Sequence, residues 1–333
     1  SRGTVFRLYK HFFMDIHLLL DNLTNPALLF FFLGILAVQL KSDLEIPPSS
    51  SKFISLYLLF SIGFKGGLEL SHSNLDMEIL WSLLFGILLA LLVPIYTFFI
   101  LKRKFSVENA GAIAAAYGSV SAVTFVTAVA YLEMAQIEFS GHMVAVMALM
   151  EAPSIIVAVL LMSLYRNGEQ EKTKLGTILH HSLTNGSVLL IIGSLVIGFL
   201  ASDEQARGIE PFTTDIFKGF LAVFLLDMGI TSGKRLSSFI KKGWFALLFA
   251  IFIPLINGSL AAIVSGIITE SIGNRFLFAL LAGSASYIAV PAAMKLVAPK
   301  ANPSLYIPMA LAITFPFNIT LGMPIYLFII QSF

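Results

Sequence analysis

Ten long apolar stretches, separated by short polar loops, run through the 333-residue chain. Each has about 20 residues, the length that a helix needs to cross the hydrocarbon of a bilayer. We place these spans at 24–40, 52–69, 78–101, 108–132, 142–165, 184–201, 212–230, 243–268, 274–297 and 304–331. Because 57% of the residues are hydrophobic and only 12% are charged, one soluble core cannot hold this much apolar surface. The sequence therefore predicts an all-α integral membrane protein with ten transmembrane helices.

The second half of the chain repeats features of the first half. Leu23-Thr24-Asn25 opens span 1, and Leu183-Thr184-Asn185 opens span 6. Gly118-Ser119-Val120-Ser121 in span 4 recurs as Gly283-Ser284-Ala285-Ser286 in span 9. Since each half has an odd number of spans, the second half must cross the membrane upside down. We predict two inverted five-helix repeats, at 22–165 and 177–333, joined by a cytoplasmic linker at 166–176.

Lysine and arginine are distributed unevenly between the loops. The loops after odd-numbered spans, with the span ends beside them, hold 14 of these residues, and the loops after even-numbered spans hold 2. Since cytoplasmic loops retain positive charge, we predict a multi-pass protein of the cell (inner) membrane with both termini outside. Residues 1–21 are predicted to form an N-terminal tail, part of which is compatible with an expression-tag remnant.

Composition and motifs exclude several classes of function. A formal net charge of +2 gives no electrostatic footprint for nucleic acid, and a chain without cysteine has no disulfide or thiolate nucleophile. The sequence also has no phosphate-binding glycine-rich loop, HExxH pair or nucleophile elbow. We predict that the protein is not an enzyme and uses no cofactor apart from a coupling ion.

Spans 4 and 9 each carry their glycine and serine residues halfway along. A helix unwound there exposes N–H groups that attract an anion and carbonyl groups that coordinate a hard cation such as sodium. A serine or threonine at the start of the second half would also cap it. We predict that the two broken helices face each other around one small polar cavity. The alternative is that these small residues only allow helices to pack closely.

Ionisable residues inside spans need a partner or a task. Glu151 in span 5 is the best candidate for a functional carboxylate, although hydroxyl groups of a neighbouring span would also explain it. For Asp227, Lys65 and Glu69, near span ends, we predict snorkelling or a mutual ion pair. Asn318 in span 10 is consistent with a cation site or with a hydrogen bond to another helix.

Several segments, in order and spacing, resemble the sodium-dependent bicarbonate transporters first met in cyanobacteria. The similar segments are 118–124 with 132–133, 150–153, and 301–304 followed by Pro316 and Pro324. The resemblance covers residues 22–331. It implies a five-plus-five inverted fold, a homotrimer surrounded by membrane lipid, and inward symport of sodium with a small inorganic anion. A cytoplasmic regulatory protein is a further implied partner.

Carried over by position, the resemblance also implies a set of site residues. The anion would bind near Gly118, Ser119, Ser121, Gly283, Ser284 and Ser286, and sodium near Ser121, Thr124, Ser286 and Glu151. Tyr287 stands where the cyanobacterial pattern has an aspartate, and Glu151 replaces another aspartate. We keep three functions open: sodium-coupled symport of bicarbonate, sodium-coupled transport of another small anion or a short carboxylate, and a passive anion channel.

Overall fold

The computed structural model of the protein describes residues 26–72, 76–165, 180, 184, 186–240 and 243–333. Within these ranges every regular element is a helix. The predicted tail at 1–21, the predicted linker at 166–176 and most of the two Leu-Thr-Asn triplets lie outside the described residues.

The described helices are numbered here in chain order. The first half contains α1 Pro26–Gln39, α2 Pro48–His72, α3 Met77–Leu101, α4 Val107–Gly118, α5 Ala122–Met134 and α6 His142–Tyr165. The second half contains α7 Gly186–Leu200, α8 Asp203–Glu210, α9 Phe217–Ile240, α10 Trp244–Val264, α11 Ile272–Gly283 and α12 Ala289–Val297. The last span, Pro303–Ser332, follows α12.

The last span changes its helical winding along its length. It is α-helical at α13 Pro303–Pro308, α14 Phe315–Phe317 and α15 Met323–Ser332, and π-helical at Met309–Thr314 and Asn318–Gly322. A π-helical turn widens the helix, and such turns often occur at functional sites. Nothing in the apolar pattern of this span predicts the change.

Seven helical segments of the described residues are long and apolar enough to cross a membrane. They are Pro48–His72, Met77–Leu101, Val107–Met134, His142–Tyr165, Asp203–Leu236, Trp244–Ile267 and Pro303–Ser332. Three shorter apolar helices, Leu28–Gln39, Gly186–Leu200 and Ile272–Gly283, lie within or close to predicted spans 1, 6 and 9. The prediction of an all-α, multi-pass membrane protein is confirmed. Ten complete crossings stay a prediction, because these three helices are too short to span a bilayer by length alone.

Polar side chains at the loops explain where several helices begin. Asp76 accepts a hydrogen bond from the Ile79 N–H at 3.2 Å, and Ser106 accepts one from the Asn109 N–H at 3.3 Å. These caps satisfy N–H groups that have no partner within the helix. The sequence predicts a loop at 203–210, where the structure instead has helix α8. Ser202 and Gln205 form a capping box there, in which each side chain accepts a hydrogen bond from the backbone N–H of the other residue. This pair stabilises the start of the short polar helix.

Two helix pairs, α1 with α9 and α2 with α7, pack very closely. Glycine allows this approach. A Cβ at Gly63 on α2 would lie 2.8 Å from the Ile191 carbonyl oxygen, and a Cβ at Gly34 on α1 would lie 2.7 Å from the Ile230 nitrogen. Both distances are shorter than a real Cβ contact, so these positions require glycine for the observed packing.

The interrupted helices lie at the centre of a second group of helices. α3, α4 and α6 pack together, and α10, α11 and α15 pack together. Of the seven long segments, Val107–Met134 is the most deeply buried, with 89% of its apolar window inside the protein. A helix with this little lipid contact can lose regular hydrogen bonds, because protein groups are available to replace them.

Candidate functional site

The first interruption separates α4 from α5 at residues 119–121. α4 ends at Gly118, and Ser121 is the N-cap of α5, where its Oγ accepts a hydrogen bond from the Thr124 N–H at 3.1 Å. The cap holds the start of α5 in a fixed place. The prediction that span 4 is broken here, with a serine capping its second half, is confirmed.

The second interruption, at 284–288, is longer and ends differently. α11 ends at Gly283 and α12 begins at Ala289, with Ile288 in the N-cap position and no side-chain cap. The prediction of a break in span 9 is confirmed, but the prediction of a serine cap is wrong for this half. The physical reason is that the helix resumes at Ala289, three residues after Ser286, so Ile288 and not Ser286 occupies the N-cap position.

The two interruptions cross and bond to each other. The Ser121 N–H donates to Ser284 Oγ at 3.0 Å, and the Ser286 N–H donates to the Ala116 carbonyl at 2.8 Å. Ser284 Oγ in turn donates to the Leu281 carbonyl at 3.0 Å. Backbone groups freed by each break therefore find partners on the other broken helix, as a membrane interior requires.

A small cavity lies beside this crossing. Its volume is about 20 Å³, and the polar side chains in its wall are Ser121, Glu151, Ser187, Ser286 and Tyr287. A space of this size accommodates one water-sized particle. The carboxylate and hydroxyl oxygens are the ligand type that hard cations prefer. A small cavity therefore lies beside the two breaks, and its wall brings together three of the four residues predicted to bind sodium, Ser121, Ser286 and Glu151. Sodium binding there stays a prediction.

Glu151 is the one carboxylate in that wall. Among the described residues, no cation or hydrogen-bond donor pairs with it. The alternative prediction, in which hydroxyl groups of a neighbouring span hold Glu151, has no counterpart in the described part of the chain. A carboxylate inside a membrane protein is costly without compensation, so an ion in the cavity would stabilise it.

Two further hydroxyl groups are buried close to the first break. In the described structure, Ser119 Oγ and Thr124 Oγ1 have no hydrogen-bond partner, and both residues are 1% exposed. A buried polar group left without a partner costs about 1–3 kcal/mol. Neither residue lines the small cavity, so the structure places the fourth predicted sodium ligand, Thr124, just outside it.

The two glycines at the breaks serve helix packing. A Cβ at Gly118 would lie 2.5 Å from both Pro94 Cδ and Ser154 Oγ. A Cβ at Gly283 would lie 3.0 Å from the Pro254 carbonyl oxygen. The predicted anion contacts Gly118, Ser119, Gly283 and Ser284 line neither the small cavity nor the larger one described below.

The last span supports the second break through residues that the sequence did not single out as a group. Asn318 Nδ2 donates to the Gly283 carbonyl at 2.8 Å, and the Tyr326 hydroxyl donates to the Pro254 carbonyl at 2.9 Å. Thr314 contacts the Tyr117 hydroxyl at 2.8 Å. For Asn318, the prediction of a hydrogen bond to another helix is confirmed. Thr314 and Asn318 lie in π-helical turns, and the sequence pattern does not predict these turns.

A large vestibule of about 1140 Å³ opens next to the small cavity. Ser187, Tyr287 and Ile288 belong to the walls of both spaces. Charged side chains of the vestibule wall are Glu45, Lys52, Asp227, Lys234 and Arg235. Asp227 accepts a hydrogen bond from Ser51, which accounts for this buried carboxylate without a metal or an ion pair. The vestibule therefore combines a mostly apolar wall with five charged side chains, and it reaches the wall beside the crossing.

Lys65 forms an ion pair, but its partner is not Glu69. Its Nζ lies 2.5 Å from Glu133 Oε1, which joins α2 to α5. The prediction of an ion pair is confirmed for Lys65, while the choice of Glu69 as its partner is wrong. Glu69 lies on α2 together with Lys65, whereas Glu133 lies on α5, which is distant in sequence but packs against α2.

Comparison with known proteins identifies the family of the chain. Among curated proteins, no match is found. In the described residues, no cluster of three or more histidine, cysteine, aspartate or glutamate residues could hold a metal ion. The family model that matches is described as the Na⁺-dependent bicarbonate transporter superfamily, and the match runs over residues 26–331. Since this covers nearly the whole chain, including both interrupted helices, the protein belongs to the Na⁺-dependent bicarbonate transporter superfamily.

Proposed function

We propose that the protein carries sodium together with bicarbonate into the cell by alternating access. The observation that carries this proposal is the ion-sized cavity between the two crossed interruptions. Ser121, Ser286 and Glu151 offer hydroxyl and carboxylate oxygens there, and no protein cation neutralises the carboxylate within the described residues. A sodium ion would supply that charge, with Thr124 close enough in sequence to join when the break adjusts.

The anion is proposed to leave for the cytoplasm through the vestibule. Lys52, Lys234 and Arg235 lie in its wall, and positive side chains raise the local concentration of an anion. Bicarbonate has four heavy atoms besides hydrogen, so it does not fit the space of about 20 Å³ beside Ser121. Bicarbonate could therefore contact Ser119 or Ser284 only after the two interruptions move apart.

The arrangement of helices supports alternating access. α1, α2, α7 and α9 pair with one another, while the interrupted helices pack within the other group. We propose that all ten predicted spans cross the membrane in two inverted repeats, and that the groups slide past each other. Lys52 and Lys234 border the vestibule, and both belong to the loops after odd-numbered spans and the span ends beside them, which are rich in lysine and arginine. By the positive-inside rule these loops are cytoplasmic, so the conformation described is inward-open.

A second candidate substrate, a short carboxylate, is favoured by the apolar part of the vestibule wall. Phe60, Phe224, Ile307 and Leu311 lie there beside the basic residues. Such a wall suits an anion with a small hydrocarbon group. A passive channel would instead need a continuous polar path, and Tyr287 stands between the two cavities.

Uptake of labelled bicarbonate into proteoliposomes tests the proposal. Wild-type uptake is expected to rise several-fold with an inward sodium gradient, and equal uptake with and without the gradient would refute sodium coupling. Glu151→Gln should abolish the sodium stimulation. Glu204→Gln, on the exposed surface of α8, is the matched control and should leave it intact. Competition by formate and acetate would separate bicarbonate from a short carboxylate, and ohmic currents without coupling would indicate a channel.

The homotrimer and the cytoplasmic regulatory protein are further proposals that rest on the family. The mass of the protein in detergent, measured by light scattering, checks the first of them. Pull-down with the cytoplasmic fraction of the source cell checks the second.

A further inference from the structure

Two spaces of very different size meet at one wall. Ser121 and Glu151 border only the small cavity, whereas Asp227 and Met228 border only the vestibule. Tyr287 carries the largest side chain of the three residues that border both. The Tyr287 ring is therefore the bulkiest group in the wall that the two spaces share.

The Tyr287 side chain packs against both hydrophobic clusters of the protein, and it contacts α9 and the last span. Its hydroxyl donates to Met228 Sδ on α9 at 3.7 Å, and a thioether sulfur is a weak acceptor. Its ring packs edge-on against Phe315 of the last span, with ring centroids 6.4 Å apart. The residue itself belongs to the non-helical segment between α11 and α12, where no helical hydrogen bonds fix the backbone. Rotation of this side chain therefore breaks side-chain contacts but no helical hydrogen bond.

The Met228 contact also connects the ring to the other group of helices. Tyr287 follows α11, whereas Met228 lies on α9, which pairs with α1. If the two groups slide past each other, the sulfur moves away from the hydroxyl. The ring then loses the contact that holds it across the wall.

We infer that Tyr287 is a size-selecting partition between the vestibule and the ion cavity. This inference rests on the proposed transport function and deepens it. The ring keeps the ion cavity closed to the vestibule in the conformation described. Once the two interruptions separate, it limits the anions that pass to small ones such as bicarbonate or formate. Anions with a longer hydrocarbon group meet the ring and stay in the vestibule.

Thiol labelling tests the partition without relying on transport. The chain has no cysteine, so Val120→Cys places the only thiol in the wall of the small cavity. With Tyr287 present, a membrane-impermeant thiol reagent should label Cys at this position slowly. In the Tyr287→Ala background the rate should rise at least ten-fold, while Tyr287→Phe, which keeps the ring but loses the Met228 contact, should give a rate between the two. Equal rates in all three backgrounds would overturn the inference. If Tyr287→Ala does not fold, Tyr287→Leu provides the same comparison.

Competition in proteoliposomes tests the selectivity. With the competitor on both sides of the membrane, butyrate should inhibit bicarbonate uptake by Tyr287→Ala at least ten-fold more strongly than uptake by the wild type, while inhibition by formate should change little. Tyr165→Ala, at the end of α6 and outside both cavities, is the control for loss of a tyrosine ring. If wild-type uptake depends on sodium but butyrate inhibits both proteins equally, the partition fails alone. If the wild type shows no sodium-dependent uptake, the proposed function fails, and the labelling result still decides the partition.

Discussion

Replacing Gly118 with alanine measures how tightly the first interruption is packed. The new Cβ would lie 2.5 Å from Pro94 Cδ and 2.5 Å from Ser154 Oγ, whereas ordinary contact begins at 3.4 Å. Neither neighbour can move freely, because Pro94 lies inside α3 and Ser154 Oγ donates a 2.9 Å hydrogen bond to the Ala115 carbonyl. The end of α4 must shift by the difference, about 0.9 Å.

The size of the effect follows from these contacts. Overpacking a close-packed site costs about 1–3 kcal/mol, so Gly118→Ala should lower the free energy of unfolding by about 2 kcal/mol. Ser154→Ala removes one hydrogen bond and should cost about 1 kcal/mol. In the double variant the missing Oγ removes one of the two close contacts of the new Cβ, while the contact with Pro94 remains. Its cost should therefore be smaller than the sum of the single costs by about 0.5 kcal/mol or more.

Reversible unfolding in micelles of increasing SDS content gives these free energies, and sodium-dependent uptake gives their functional counterpart. Gly193→Ala on α7 is the matched control, since a Cβ there would meet nothing within 4 Å. That change should be neutral or stabilise the protein by up to about 1 kcal/mol, the helix-propensity difference between the residues. The packing argument is refuted if Gly118→Ala behaves like Gly193→Ala. Strict additivity with Ser154→Ala would also contradict it.

Two more predictions concern polar contacts between helices. In a double-mutant cycle with Lys65→Met and Glu133→Gln, the coupling free energy between the two side chains should be about 0.2–1 kcal/mol. The reason is that side-chain exposures of 32% and 25% let water screen the pair. A coupling free energy well above about 2 kcal/mol in SDS unfolding would show that the pair is effectively buried. Asn318→Leu should cost about 1–3 kcal/mol, because it leaves the Gly283 carbonyl without its 2.8 Å hydrogen bond inside the protein. Unfolding at the wild-type SDS concentration would mean that another donor replaces Asn318.

The positions of the membrane segments could be predicted because hydropathy is a local property. Predicted span 3 at 78–101 corresponds to α3 Met77–Leu101, and predicted span 5 at 142–165 to α6 His142–Tyr165. The agreement is poorer for predicted span 7 at 212–230, since α9 covers Phe217–Ile240. Its last turns carry Lys234 and Arg235, which end the apolar run but not the helix. Polar residues remain compatible with a helix that reaches beyond the hydrocarbon.

The contacts of the site could not be predicted from local patterns. Lys65 and its partner Glu133 are 68 positions apart, and the nearer carboxylate Glu69 is the one that spacing along a helix suggests. The approach of Tyr287 to Met228 depends on how two groups of helices pack. Periodicity describes which face of a helix is apolar, and it carries no information about which distant helix covers that face.

The recurrence of the Gly-Ser motif has a physical explanation in the crossing itself. A broken helix inside a membrane protein leaves backbone groups that water cannot satisfy, so each break needs a partner. Here the Ser121 N–H is satisfied by Ser284 Oγ, and the Ser286 N–H by the Ala116 carbonyl. Without the second interruption the Ser121 N–H would lose its partner, Ser284 Oγ. Without the first, the Ser286 N–H would lose the Ala116 carbonyl. Two matching motifs are therefore required together, which is why their recurrence predicts broken helices when a single Gly-Ser stretch would not.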